Sequence, residues 1–140
     1  MLKNINEYFE NDYEFYLDKV DYTHKQKTSD TIEYSLNCYD KLETKELSEN
    51  RLQVSVTRSL VFDPDDLYTL SVTYVVVLKF KSGKKDELKS LSNDLSKDLI
   101  NYGQFFLSNI MARMSMLISE ITGSYGQPPV ITPPLIAHVK

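Results

Sequence analysis

The plainest pattern in the chain is strict alternation. Leu52, Val54, Val56, Leu60 and Phe62 alternate with Gln53, Ser55, Thr57 and Ser59, a period of two that turns one face of a strand to a core and the other to water. Arg58 interrupts the apolar face, so it requires a partner or a route to solvent. The tetrapeptide Asp63-Pro64-Asp65-Asp66 has turn chemistry, with proline presetting the backbone and aspartates bonding locally, and the next strand is expected to return antiparallel. That strand spans Leu67 to Phe80. Its even positions are apolar throughout, whereas its odd positions begin polar at Thr69, Ser71 and Thr73 and turn apolar at Val75 and Val77, which predicts cover on both faces of the far half.

Two earlier strands read less cleanly. Ile32, Tyr34, Leu36 and Cys38 alternate with Glu33, Ser35 and Asn37. Between Tyr13 and His24, Phe15 and Leu17 share one parity and Val20 and Tyr22 the other, so a bulge is expected near Asp18-Lys19. Ahead of them Leu2, Ile5 and Phe9 fall at helical spacing, but the run ends in Glu10-Asn11-Asp12. Residues 1–12 therefore read as an arm whose helix would be marginal alone.

Beyond Lys81-Ser82-Gly83-Lys84-Lys85 the period lengthens. Leu88, Leu91, Leu95 and Leu99 recur every three or four residues, as in a short amphipathic helix or helical crossover on the surface. The main helix is expected from Gln104 to Thr122, with Gly123 as its terminator. Phe106, Ile110, Met114, Leu117, Ile118 and Ile121 form its apolar stripe. Beside that stripe Ser108, Ala112, Ser115, Ser119 and Thr122 form a seam of small side chains, which leaves Asn109, Arg113, Met116 and Glu120 as the strip of long ones. A helix so built is expected to pack on its own sheet on one side and on a second copy on the other. Ser108, Ala112, Ser115, Met116, Ser119 and Thr122 are the candidate oligomer interface. The tail, residues 126–140, carries Gln127-Pro128-Pro129 and Thr132-Pro133-Pro134, cannot continue the helix, and is expected to run extended. The fold class is α+β, with a four-stranded antiparallel sheet against one long helix in a single domain over residues 1–140.

Composition narrows the function more by exclusion than by assignment. With 140 residues, 41% of them hydrophobic and 26% charged, one globular domain is expected. The opening Met1-Leu2-Lys3-Asn4-Ile5-Asn6-Glu7-Tyr8 holds acidic and polar residues and no continuous apolar stretch, unlike a secretory signal, so the whole chain is expected to be the mature protein. No segment approaches the roughly 20 apolar residues that cross a bilayer. Cys38 is the one cysteine and fits a reducing compartment, so the cytoplasm is the expected location. A net charge of −4 offers no footprint for phosphate backbones, and nucleic acid is not an expected partner. His24 and His138 are far apart in sequence, Cys38 lies on the apolar parity of its strand, and Asp63, Asp65 and Asp66 suit a turn better than a cation loop. The glycines at 83, 103, 123 and 126 form no phosphate-cradling loop. The chain reads as a non-enzyme without cofactor or metal.

The order of elements, the helical run Asn109-Ile110-Met111-Ala112-Arg113-Met114 through Gly123, and the segment from Gln127 to Pro134 together resemble the SecB family of export chaperones. That family's long helix carries an apolar run around an Ala-Arg pair, here Ala112-Arg113, followed by a glycine and an extended proline-containing segment. Classical members continue into a further helix, which this sequence lacks, so the likeness is to a divergent, SecB-like member. What it implies is an ATP-independent holdase, a homotetramer built as a dimer of dimers, with grooves for unfolded or precursor polypeptides. Handover to the export motor ATPase, or dedicated service to an antitoxin, are the two implied outlets. Binding unfolded chains demands adaptable apolar surface, and ten tyrosines, six phenylalanines and four methionines without tryptophan could supply it. By position, Tyr102, Phe105, Tyr125, Val130 and Ile131 are candidates for a client groove, together with Tyr74 and Phe80 at the sheet, for which core packing is the favoured reading. The alternative is a structural or adaptor protein that self-associates through the long helix without a client groove.

Overall fold

The computed structural model describes residues 4–26, 30 and 33–139; Leu2 and Ile32, which the patterns above include, lie outside them. Four long strands, β1 (Glu14–His24), β2 (Ser35–Leu47), β3 (Arg51–Asp63) and β4 (Tyr68–Lys79), are followed by helices α1 (Lys84–Leu91), α2 (Leu95–Tyr102) and α3 (Gln104–Gly123) and a two-residue strand β5 (His138–Val139). The sheet order is β1-β4-β3-β2-β5. The first four strands pair antiparallel, and β5 adds to β2 in parallel at Tyr39 and Asp40.

The expected bulge is present. Leu17 pairs with Tyr74 and Lys19 with Thr73, so Asp18 is extruded between them and the apolar parity of β1 switches there. Strand β2 runs well past Cys38, to Leu47, through a stretch whose charged residues hide its period. It turns into β3 through Ser48-Glu49-Asn50, where Glu49 and Asn50 adopt φ of 62° and 59°. Asparagine tolerates that left-handed region, whereas glutamate adopts it at some cost. No glycine marks the turn, which is why the pattern does not reveal it.

The even positions of β3 and β4 form the core face, with Leu52, Val54, Val56, Leu60, Leu70, Val72, Val76 and Leu78 all buried. On the opposite face the hydroxyls of Thr57 and Thr73 meet at 2.8 Å and those of Ser59 and Ser71 at 3.0 Å. Val75, between Tyr16 and Ser55 in the sheet, is buried, and Val77 is half-buried. Two-sided cover of the far half of β4 therefore holds most fully at Val75.

Helix α3 supplies the other half of the core through Phe106, Leu107, Ile110, Met111, Met114, Ile118 and Thr122. Leu107 and Met111 widen the stripe that the spacing marks out, while Leu117 and Ile121 sit half-buried at its margin. The helix runs through Gly123 to a Ser124 cap, and the left-handed turn falls at Gly126, with φ of 81°. Gly123 is thus not the terminator that the sequence suggests; its bare α-carbon instead faces Pro129 of the returning tail. The crossover is two helices, with Asp94 capping α2 through a bond from the Lys97 amide at 3.2 Å. At Gly103 a β-carbon would collide with the carbonyl oxygen of Leu99, so only glycine permits this corner between α2 and α3.

The N-terminal segment is seated rather than loose. Ile5 and Phe9 are fully buried, Phe9 bridges to Phe80, and backbone bonds Glu10 N–H to Lys79 O (2.8 Å) and Lys81 N–H to Tyr8 O (3.0 Å) extend the end of β4. Burial of two such side chains contributes about 1.5–3 kcal/mol each, which outweighs the weak helical tendency of so short a run.

Candidate functional site

At the end of the sheet where β1 finishes and β4 begins, His24 pairs with Tyr68 and aromatic side chains gather. Tyr22 and Tyr68 lie 5.4 Å apart between ring centroids, Tyr22 and Tyr125 5.4 Å, and Tyr68 and Tyr125 5.7 Å, which closes a triangle. Phe62, near the end of β3, meets Tyr68 edge-on at 4.9 Å, and Tyr34 meets Phe62 in turn at 6.4 Å. Pairs in these tilted and T-shaped arrangements contribute about 0.5–1.5 kcal/mol beyond burial. Around them opens a cavity of about 640 Å³ bounded by Tyr22, His24, Tyr34, Phe62, Leu67 and Tyr68 on the sheet side and by Tyr125, Gln127, Pro128 and Val130 on the tail side. This volume is of the size that receives ligand groups.

Burial keeps two of the lining phenols neutral. Burial, with a hydrogen bond to Tyr68 and the proximity of Tyr68 and Tyr22, pushes the Tyr125 phenol well above the ordinary tyrosine value. Burial also raises Tyr68, tempered by its bond with Tyr125. Both rings therefore stay protonated through the physiological range, offering apolar faces with hydroxyl edges.

One wall of the cavity is the tail itself. Val130 N–H donates to the Thr122 hydroxyl at 2.7 Å, and that hydroxyl donates to Ile118 O at 2.8 Å. Further on, the Ser115 hydroxyl donates to Thr132 O at 2.6 Å. Small side chains on α3 let the tail lie close, so part of the seam serves the chain's own C-terminal segment.

Arg58, the interruption on the apolar face of β3, is fully buried and meets Asp40, 1% exposed, on β2. Its Nε and Nη2 donate to the two carboxylate oxygens at 2.7 Å each. The remaining donors reach the tail: Nη1 to the Thr132 hydroxyl (3.0 Å) and Pro133 O (2.6 Å), and Nη2 to Leu135 O (2.7 Å). Asp40 also accepts from Ala137 N–H at 2.7 Å. All five guanidinium protons are thereby used, which is what makes a buried pair tolerable.

The sequence candidates for a client groove fall in different places. Tyr125 and Val130 line the cavity. Ile131 is 75% exposed beside it. Tyr74 and Phe80 are buried in the core, and Tyr102 and Phe105 are half-buried toward the opposite end of β4, where Phe105 approaches Phe9 at 6.0 Å. Tyr22, His24, Tyr34, Phe62 and Tyr68 also line the cavity, and no spacing in the sequence marks them as a group. Registering β1 against β4 would have brought Tyr22 near Tyr68; the remainder needed the fold. Of the interface candidates, Ser108, Ala112 and Met116 are exposed and Ser119 is half-buried, while Ser115 and Thr122 bond to the tail. Among the described residues, no group of three or more histidine, cysteine or acidic side chains is arranged to hold a metal ion, and no helix is long and apolar enough to cross a membrane.

No family model matches the sequence, and no curated protein matches it significantly. Among solved structures, a SecB-like chaperone of Mycobacterium tuberculosis, in complex with a peptide from an antitoxin, is similar with a TM-score of 0.57 at 12% identity over 86% of each chain. A protein of unknown function from Streptococcus agalactiae is 13% identical over 87% of this chain and 98% of that one, with a TM-score of 0.34. The first likeness establishes a SecB-like fold.

Proposed function

We propose that this protein is an ATP-independent chaperone that holds non-native polypeptide, with the tyrosine-lined cavity as the anchor for client side chains. The observation that carries this reading is the cavity itself, five aromatic rings around about 640 Å³ at the end of an open sheet. Rings of this kind accept varied apolar side chains while their hydroxyl edges remain satisfied, which suits binding without strict sequence preference. That a protein of the same fold was captured with an antitoxin peptide supports a polypeptide partner and favours a dedicated client, such as an antitoxin, over general delivery to the export motor ATPase.

Self-association belongs to the same reading. Strand β1 ends the sheet, and its Tyr16, Leu17 and Val20 are 48%, 45% and 41% exposed, as is Met116 on α3 at 65%. Subunits packing on the exposed Ser108, Ala112 and Met116 side of α3 would cover part of this apolar surface and make a homo-oligomer, placed in the cytoplasm with its clients. Aggregation of a chemically unfolded client is the direct test. The native protein should suppress it at near-stoichiometric amounts, and Tyr125→Ala should weaken client binding by about tenfold, or 1.4 kcal/mol. Lack of suppression across several unrelated clients and an antitoxin peptide would refute the reading.

A further inference from the structure

The buried pair of Arg58 and Asp40 lies outside the cavity, yet its bonds go where the cavity's wall continues. The tail leaves α3 at Ser124, forms the wall through Gln127, Pro128 and Val130, and then meets the guanidinium at residues 132, 133 and 135 and the carboxylate at residue 137. Its other fastenings are the short β5 pairing with β2 at Tyr39 and Asp40 and the packing of Val130 and Ile136 against the core. Among its described side chains Thr132 is buried and Val130 and Ile136 are half-buried, whereas Ile131, Leu135 and Val139 are 75%, 56% and 55% exposed, so apolar burial holds it only in part. Beyond the two bonds to Ser115 and Thr122, the tail is held chiefly by polar groups aimed at its backbone.

We infer that Arg58 and Asp40 are positioning residues for the binding cavity: they fix the tail as its wall, so that the site exists only while the pair grips residues 132–137. This rests on the reading of the cavity as a polypeptide site. The physical logic is that a wall made of irregular, proline-containing chain has no ladder of its own to keep it in place. A forked guanidinium with several carbonyl acceptors fixes such a backbone in direction as well as distance. The arrangement also accounts for an arginine on an otherwise apolar strand face: sheet packing alone would be served by leucine or methionine.

The test uses the full chain with Asp40→Leu and Arg58→Met together, which replaces the pair with apolar side chains and leaves no lone buried charge. Amide exchange is followed by nuclear magnetic resonance at Val130 and Ala137, and binding by fluorescence of a tryptophan-containing unfolded peptide, the protein itself having no tryptophan. Exchange at both amides should rise by about tenfold or more while Val54 and Val76 stay protected, and the peptide should bind about tenfold more weakly. Adding Thr122→Val, which frees the same wall from the helix side, should then weaken binding less than it does in the native background, because both changes act through one segment. Should the double variant not fold, Ser115→Ala with Thr132→Val loosens the tail with the pair intact and is judged by the same readouts. Unchanged exchange at Val130 and Ala137 overturns the inference, as does faster exchange with unaltered peptide affinity. If the native protein binds no peptide, the chaperone reading fails, and with it the positioning role; exchange at the two amides then still reports whether the pair grips the tail.

Discussion

Arg58 shows how far a single residue can be read. Its place on an apolar parity demands a partner, and the structure supplies Asp40 at 2.7 Å through both carboxylate oxygens. The partner was not legible, because Asp40 sits in a run of charged residues on β2 where no period singles it out. Removing one member, as in Arg58→Ala or Asp40→Ala, leaves a buried charge and should lower stability in urea unfolding by about 3–5 kcal/mol. The tyrosines give a second prediction at this scale. Tyr68, Tyr74 and Tyr125 have phenols raised above the ordinary value, first by burial. In the unfolded chain they ionise near pH 10, so the native state binds protons that the unfolded state has already released. Their contribution to stability is therefore fully present below about pH 10 and is lost as pH rises through the folded values. A spectrophotometric titration should show a late-ionising fraction among the ten tyrosines, and Tyr125→Phe should reduce it.

At the scale of elements, periodicity served the sequence reading wherever one face is buried. Strands β3 and β4, the β1 bulge and the extent of α3 follow from spacing almost residue by residue. It failed where tertiary contacts replace period. Residues 5–9 look too short to be stable, yet Phe9 packs on Phe80 in a tilted arrangement with ring centroids 4.7 Å apart and completes the core. Phe9→Ala should cost about 3–5 kcal/mol in the same unfolding assay. The small-residue seam of α3 likewise divides in a way that spacing cannot show: Ser115 and Thr122 bond to the tail, whereas Ala112, with Met116 beside the seam, is exposed and forms the face proposed above for a subunit contact. Ala112→Arg with Met116→Glu is therefore a cleaner probe of self-association than a change at Ser115. Light scattering should report a smaller particle for that variant; an unchanged mass would place the subunit contact elsewhere.

For the whole molecule, architecture was more legible than the site. Alternation and helical period are local signals, whereas the cavity assembles Tyr34 from before β2, Phe62 from β3, Tyr22 and Tyr68 from paired strands and Tyr125 from beyond α3. Such convergence follows from strand order and from the tail's return path, neither of which is written in any one segment. The central claim is that non-native polypeptide binds in this cavity. Mapping backbone and aromatic resonances as an unfolded, tryptophan-containing peptide is added tests it most directly. Perturbations centred on Tyr22, His24, Tyr34, Phe62, Tyr68 and Tyr125 are expected, and their loss in Tyr125→Ala. Perturbations confined to the Ser108, Ala112 and Met116 face of α3, or none at saturating peptide, would contradict the account.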